Sequence, residues 1–312
     1  MKNEDRYRDA ERRLWASVGV TPTERRVHLD HIGVSVRLQE AGDGPAVVFV
    51  HGASNSGVSW APLVARMPGF RCVLLDRPGC GLSDPIDVEF RDVETLERFA
   101  HALVVDVLDA LGLEGAHVVS TSYGGYLAVR AAAAHPDRVH RVVEFGWLLG
   151  APSGRFPLIM RMARVPGLGR LGAAIPPNER AVRALFRRIG LRQALDGGRI
   201  SQEVIDCYRA LLRDTPTMRN EIKTSALLLS PDGRVDGRPL LPAGVLGDIA
   251  TPMFFLWGEE DPFGGPEAAR EFVAQLPNAE LEFLPGAGHA VWVDDPDHVA
   301  TATTQFLAGR LS

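Results

Sequence analysis

The chain predicts an α/β fold, a doubly wound, mostly parallel sheet of eight strands with an inserted helical cap, and three observations carry that expectation. β-rich apolar runs alternate with helical periodicity over residues 26–150, and the same alternation returns over residues 250–312. Between Gly150 and about Ile249 it stops, giving way to proline, glycine and arginine-bearing helical segments. With 312 residues, 46% of them hydrophobic, the chain is long enough for one large core carrying an insertion.

The elements follow in order. Residues 4–18 set Tyr7, Leu14, Trp15 and Val18 among charges, which predicts an amphipathic helix in a leading segment 1–24, packed on its own core or on a neighbouring copy. Strands are expected over 26–29, 33–40, 46–50 and 71–75, the last two as unbroken apolar runs suited to a parallel sheet covered on both faces. A long amphipathic helix over 92–111 ends at Gly112, a strand follows over 116–120, a helix over 122–135 is stopped by Pro136, and a strand covers 139–145. After the insertion come a strand over 253–257, a helix over 266–276, a strand over 281–284 and a closing helix over 298–311. The core thus comprises 25–150 and 250–312, with the cap at 151–249, where helices are expected over 179–189 and 202–213 between Gly-Pro-rich connections.

Composition narrows the function classes. The formal charge of −5, from 34 basic and 39 acidic residues, gives no reason to expect nucleic acid as a partner. The amino terminus opens on charges without the apolar core of a signal peptide, and no run of about 18 apolar residues occurs, so a cytoplasmic protein with no membrane span is expected. Cys72, Cys80 and Cys207 are odd in number and lack metal-ligand spacing, which predicts reduced thiols. Lysine occurs only at Lys2 and Lys223. Residues 151–200 hold Arg155, Arg161, Arg164, Arg170, Arg180, Arg183, Arg187, Arg188, Arg192 and Arg199 against Glu179 and Asp196, mostly as solvated helix faces; steering of anionic substrates is the alternative.

The stretch Val118-Val119-Ser120-Thr121-Ser122-Tyr123-Gly124-Gly125 carries the chemistry, because an apolar strand runs through small-x-Ser-x-Gly into a helical pattern. Such a turn pushes the serine hydroxyl outward and is sterically open only when the residues two before and two after are small. Ser120 and Gly124 meet that condition, although Ser120 stands where glycine is usual. Three further motifs accompany it: His51-Gly52-Ala53-Ser54 after one strand, Asp76-Arg77-Pro78-Gly79-Cys80-Gly81-Leu82-Ser83-Asp84 after the next, and the pair Trp257-Gly258-Glu259-Glu260-Asp261-Pro262 and Gly286-Ala287-Gly288-His289.

In order and spacing these motifs resemble the α/β-hydrolase superfamily, over roughly residues 26–150 and 250–312. The resemblance implies a nucleophile at Ser122, an acid at Asp261 and a histidine at His289, with the backbone N–H groups of Ala53 and Tyr123 forming an oxyanion hole. A serine hydroxyl is a poor nucleophile at neutral pH, so His289 must take its proton and return it to the leaving group while Asp261 orients the ring. Rivals for the acid are Glu259, Glu260, Asp294 and Asp295, the last two lying before Pro296, where helix capping is ordinary. His51 is expected to brace the oxyanion loop and the loop from Asp76 to Asp84 to be architectural. Trp147 and Trp292 are pocket candidates, with an ordinary core aromatic as the alternative for each.

Serine at the elbow, rather than aspartate, implies acyl transfer to water with no metal or organic cofactor required. The leading expectation is a serine esterase or lactonase acting, as monomer or homodimer, on a small or medium ester-like molecule. A C–C bond hydrolase of aromatic ring-fission products would use the same triad. A slow, receptor-like member or one running cofactor-free oxygen chemistry stands as the other alternative. Because every candidate catalytic residue lies outside the insertion, the cap is expected to select substrate, through apolar residues such as Leu158 and Phe186, and to leave the chemical step to the core.

Overall fold

Strands without polar alternation need apolar cover on both faces, and the sheet supplies it. A computed structural model describes residues 3–88, 90, 92–153, 177–225, 234–235 and 238–310. Its main sheet contains β1 (Thr23–Leu29), β2 (Val34–Ala41), β3 (Ala46–Val50), β4 (Arg71–Leu75), β5 (Ala116–Ser122), β6 (Val139–Leu148), β7 (Met253–Gly258) and β8 (Ala279–Leu284). The spatial order is β1-β2-β4-β3-β5-β6-β7-β8. β2 pairs antiparallel with both β1 and β4, and the remaining neighbours are parallel. The eight expected strands are present; β5 runs on to Ser122 and β6 to Leu148, two and three residues past their expected ends.

One face is covered by α2 (Val93–Ala110) and α3 (Tyr123–Ala134), whose Leu103, Val104 and Leu127 are fully buried. The other carries α1 (Glu4–Ser17), the inserted helices α4 (Glu179–Arg188), α5 (Arg192–Asp196) and α6 (Gln202–Asp214), and the last helix of the chain, while the inserted helix α7 (Thr217–Ser225) meets the loop after β4 through Thr217 and Asn220. The helix Pro266–Val273, α8, packs on the first face, and Pro296–Leu307, α9, on the second. The three cysteines are free and buried. No helix among the described residues is long and apolar enough to cross a membrane.

The leading helix docks on its own body. Asn3 caps it by accepting the Arg6 N–H at 3.1 Å, and its apolar stripe of Tyr7, Ala10, Leu14 and Trp15 is buried against the sheet and α6. A buried ion network fixes its register. Glu11 accepts from both terminal nitrogens of Arg37, at 2.7 and 2.5 Å, and Arg37 Nε lies 2.9 Å from Asp76 Oδ2. Burial pushes the Glu11 carboxyl up, and Arg37 opposes that shift. Asp76 in turn accepts the N–H groups of Gly57, at 2.7 Å, and Leu82, at 2.9 Å, so α1 is tied to the two loops that follow β3 and β4.

Removing one member of a buried ion pair leaves a desolvated charge behind, an effect of several kcal/mol, whereas an exposed pair contributes little. Glu11→Gln is therefore expected to lower the unfolding free energy in urea by about 3 kcal/mol, and Arg12→Ala, whose pair with Asp9 is exposed, by less than about 0.5 kcal/mol. Equal, small changes in the two variants would contradict this role for the network.

Candidate active site

β5 delivers its last residue, Ser122, to the start of α3 with φ +59° and ψ −120°, a left-handed conformation rare for a residue with a Cβ. The turn is tight on two sides. A Cβ at Gly124 would lie 2.1 Å from the Val50 carbonyl oxygen, and one at Gly125 would lie 2.3 Å from Glu144 Oε1. The second contact reveals a residue that sequence reasoning missed. Glu144 on β6 is fully buried, accepts the Ser122 N–H at 3.0 Å through Oε1 and accepts the Ser120 hydroxyl at 2.5 Å through Oε2. Burial holds its carboxyl well above the usual range. Ser120 thus replaces the usual glycine with a hydroxyl that has a dedicated acceptor, and the available signal was a lone acid within Val142-Val143-Glu144-Phe145.

Asp261 follows β7 and His289 follows β8, and the two meet: His289 Nδ1 lies 2.8 Å from Asp261 Oδ2. The same oxygen accepts the Trp147 N–H at 2.8 Å, and Oδ1 accepts the Phe263 N–H at 3.0 Å, so the carboxylate is fixed from both sides. The Phe263 ring meets the His289 ring edge-on at 4.5 Å. Glu259 and Glu260 are exposed, and the Glu260 carboxylate takes a 3.5 Å contact from Gln193. Asp295 caps α9 through the His298 N–H, as expected. Asp294 does not cap; its Oδ2 accepts the Gly288 N–H at 2.8 Å, beside His289.

The loop after β3 is held by the loop after β4. The Arg77 N–H donates to His51 Nε2 at 3.1 Å, which makes that nitrogen an acceptor and leaves Nδ1 to donate to the Gly52 carbonyl at 2.8 Å. His51 is therefore a neutral imidazole, and burial with the Arg77 charge nearby pushes its pKa well down. The Arg77 side chain donates to the carbonyls of His51 and Gly52, each at 2.9 Å. A trans peptide places C=O and N–H on opposite sides, so anchoring the Gly52 carbonyl turns the Ala53 N–H away from Arg77. Tyr123, as first residue of α3, has an N–H with no intrahelical acceptor. Its ring lies under the Arg77 guanidinium at 4.6 Å.

Ser122, Ala53 and His289 line one cavity of about 390 Å³. Its walls are mainly apolar: Leu14 from α1, Phe186 and Tyr208 from the inserted helices, and Phe263 and Trp292 from the core. Trp292 is held by its Nε1 donating to the Ser59 carbonyl and by Trp60 at 4.4 Å. Trp147 is not among the described residues that line the cavity. It packs on Phe263 and donates from Nε1 to Pro152, and its contribution is the backbone N–H on Asp261 rather than a wall. Arg180, Arg187, Arg188, Arg192 and Arg199 are exposed, with Arg183 paired to Glu179 and Arg187 to Asp196. Arg155, Arg161, Arg164, Arg170 and Leu158 lie outside the described residues.

Residues 47–302 match the model of the alpha/beta hydrolase family. The chain belongs to that family. Curated relatives include a 2-hydroxy-6-oxononadienedioate/2-hydroxy-6-oxononatrienedioate hydrolase of Dechloromonas aromatica, 28% identical over 90% of this chain and 93% of that one. A 2-hydroxy-6-oxo-6-phenylhexa-2,4-dienoate hydrolase of Burkholderia cepacia is 27% identical over 92% and 96%. Among solved structures, carboxylesterase CesB from Bacillus subtilis superposes with TM-score 0.75 at 21% identity, covering 98% of both chains. The hydrolase BphD from Rhodococcus sp. strain RHA1 gives 0.73 at 21%, covering 93% of this chain and 99% of that one. These two structural likenesses establish the shared alpha/beta hydrolase fold.

The Asp294 carboxyl, with Oδ1 buried and unpartnered among the described residues, is raised by burial from 3.8 to about 6. A carboxyl raised in the folded state favours folding while protonated, so its contribution declines as pH rises from about 4 through about 6 and is constant above. Asp294→Asn keeps an acceptor for Gly288 and removes the titration. Its Tm relative to wild type should rise across that window and level off above about pH 7; a pH-independent difference would contradict the assignment.

Proposed function

We propose that this alpha/beta hydrolase is a serine hydrolase that cleaves an uncharged small or medium carboxylic ester or lactone through an acyl-enzyme on Ser122. The observation that carries the reading is the hydrogen-bonded Asp261–His289 pair opening on the same cavity as the strained Ser122. His289, holding its Nδ1 proton toward Asp261, accepts the serine proton at Nε2 as Oγ attacks the ester carbonyl. The N–H groups of Ala53 and Tyr123 receive the oxyanion, each donor being worth about 3 kcal/mol. The tetrahedral intermediate collapses, His289 protonates the departing alcohol, and water repeats the sequence to release the acid.

The second reading, C–C bond hydrolysis of a vinylogous ring-fission product, is favoured by the names of the curated relatives. The named dienoates carry a carboxylate, which a buried site must neutralise. Among the described residues no lysine or arginine lines the cavity, and Glu221 does. An inserted segment that roofs the cavity as a cap, with Leu185, Phe186, Val204 and Leu211 facing inward, suits an apolar acyl or alcohol group.

The experiment is a kinetic panel of p-nitrophenyl esters from acetate to hexanoate, run beside a 2-hydroxy-6-oxo-dienoate. The esters should turn over, with Ser122→Ala lowering kcat by as much as ~10⁶, Asp261→Asn by roughly 10⁴, and Glu260→Gln leaving it nearly unchanged. Dienoate cleavage with a kcat/KM far above every ester would overturn the ester assignment and leave the C–C reading. A crippled Glu260→Gln beside an active Asp261→Asn would overturn the acid.

A further inference from the structure

Arg77 is buried with its charge, and a guanidinium in that setting requires a carboxylate partner. The partner comes from the inserted segment. Glu221, on α7 and itself buried, accepts from Arg77 Nη2 at 3.0 Å and from Cys80 Sγ at 3.2 Å through Oε1. Its other oxygen accepts the Ser54 N–H at 3.2 Å. Ser54 is the one described residue besides Ser122 that carries a Cβ at positive φ, here +55°. Such a conformation persists only where its surroundings enforce it.

Three consecutive peptide groups of the oxyanion loop are thereby fixed. The His51 and Gly52 carbonyls are drawn to Arg77, and the Ser54 N–H is drawn to Glu221. The Ala53 N–H between them has no hydrogen-bond partner among the described residues, and Ala53 is one of the residues that line the cavity. A second contact ties the inserted segment to the opposite side of the site, where the His289 N–H donates to the Ile189 carbonyl at 2.8 Å. The insertion therefore touches the backbone of both the oxyanion loop and the histidine loop, which revises the expectation that it selects substrate alone.

We propose that Glu221 is a positioning residue for acyl transfer, which with Arg77 sets the Ala53 N–H in the oxyanion hole and makes docking of the inserted helices a condition of a competent site. The proposal rests on the serine-hydrolase reading, with Ala53 as an oxyanion donor. A residue that shapes only the pocket alters KM for bulky substrates. One that aims an oxyanion donor alters kcat for every substrate, because the donor acts on charge that develops only in the transition state.

The test uses the full chain with p-nitrophenyl acetate and p-nitrophenyl hexanoate. Glu221→Gln and Glu221→Asp are expected to lower kcat for both esters by a similar factor, roughly tenfold to a hundredfold, with KM within about twofold of wild type. Glu221→Asp keeps the negative charge beside Arg77 and draws the carboxylate back by one methylene from Arg77, Cys80 and Ser54 alike, so it remains informative if Glu221→Gln fails to fold. Ser122→Ala is assayed alongside. If it is inactive and the Glu221 variants keep wild-type kcat, or change only KM for the hexanoate, this proposal is overturned while its parent reading stands. If Ser122→Ala retains turnover, the parent reading falls and takes this one with it.

Discussion

A serine held at φ +59° costs about 1–3 kcal/mol relative to relaxed backbone, and a chain keeps such a residue only where neighbouring contacts over-determine it. Here the constraint is assembled from three elements. β3 presents the Val50 carbonyl against Gly124, β6 presents Glu144 to the Ser122 N–H and the Ser120 hydroxyl, and α3 begins at once on the next residue. Relaxing Ser122 would break the Glu144 hydrogen bond and leave a buried acid short of a donor. The strain and the buried carboxyl therefore stabilise one arrangement together, and the loops bearing His51, Asp261 and His289 are arranged around it.

Two buried arginines extend that arrangement beyond the sheet. Arg37 joins Glu11 of α1 to Asp76, and Arg77 joins Glu221 of α7 to the carbonyls of His51 and Gly52. Neighbouring residues of one loop, Asp76 and Arg77, thus transmit two different elements to the cavity. Buried ion pairs add little net stability compared with apolar packing, but they are intolerant of misplacement. α1 and the inserted helices consequently form walls of the cavity, with Leu14 and Phe186 facing the space that Ser122 faces.

Much of this was legible in the sequence, because the signals concerned are local. Unbroken apolar runs marked β3 and β4, Pro136 marked the end of α3, and small-x-Ser-x-Gly marked the elbow. The resemblance of the late loops to those of the α/β-hydrolase superfamily put Asp261 forward over Glu260, and the geometry brings Asp261 to His289. What was hidden depends on contacts between distant segments. Nothing in the amphipathic pattern of α7 distinguishes Glu221 from a solvated acid; only its meeting with Arg77, 144 residues earlier, does so. Glu144 left a trace as an acid in an apolar strand. Trp147 meets Asp261 through its backbone N–H, a contact that its side-chain type does not signal. Asp294 looked like a cap, and the cap is Asp295.

The central claim, that the strained serine at the end of β5 is the nucleophile served by His289, is tested most directly by peptide mapping after reaction with a fluorophosphonate. One label per chain is predicted on the peptide containing Ser122, and that label should be lost in His289→Ala, which removes the base that activates the hydroxyl. A label on any other residue, or undiminished labelling of Ser122 in His289→Ala, would contradict it.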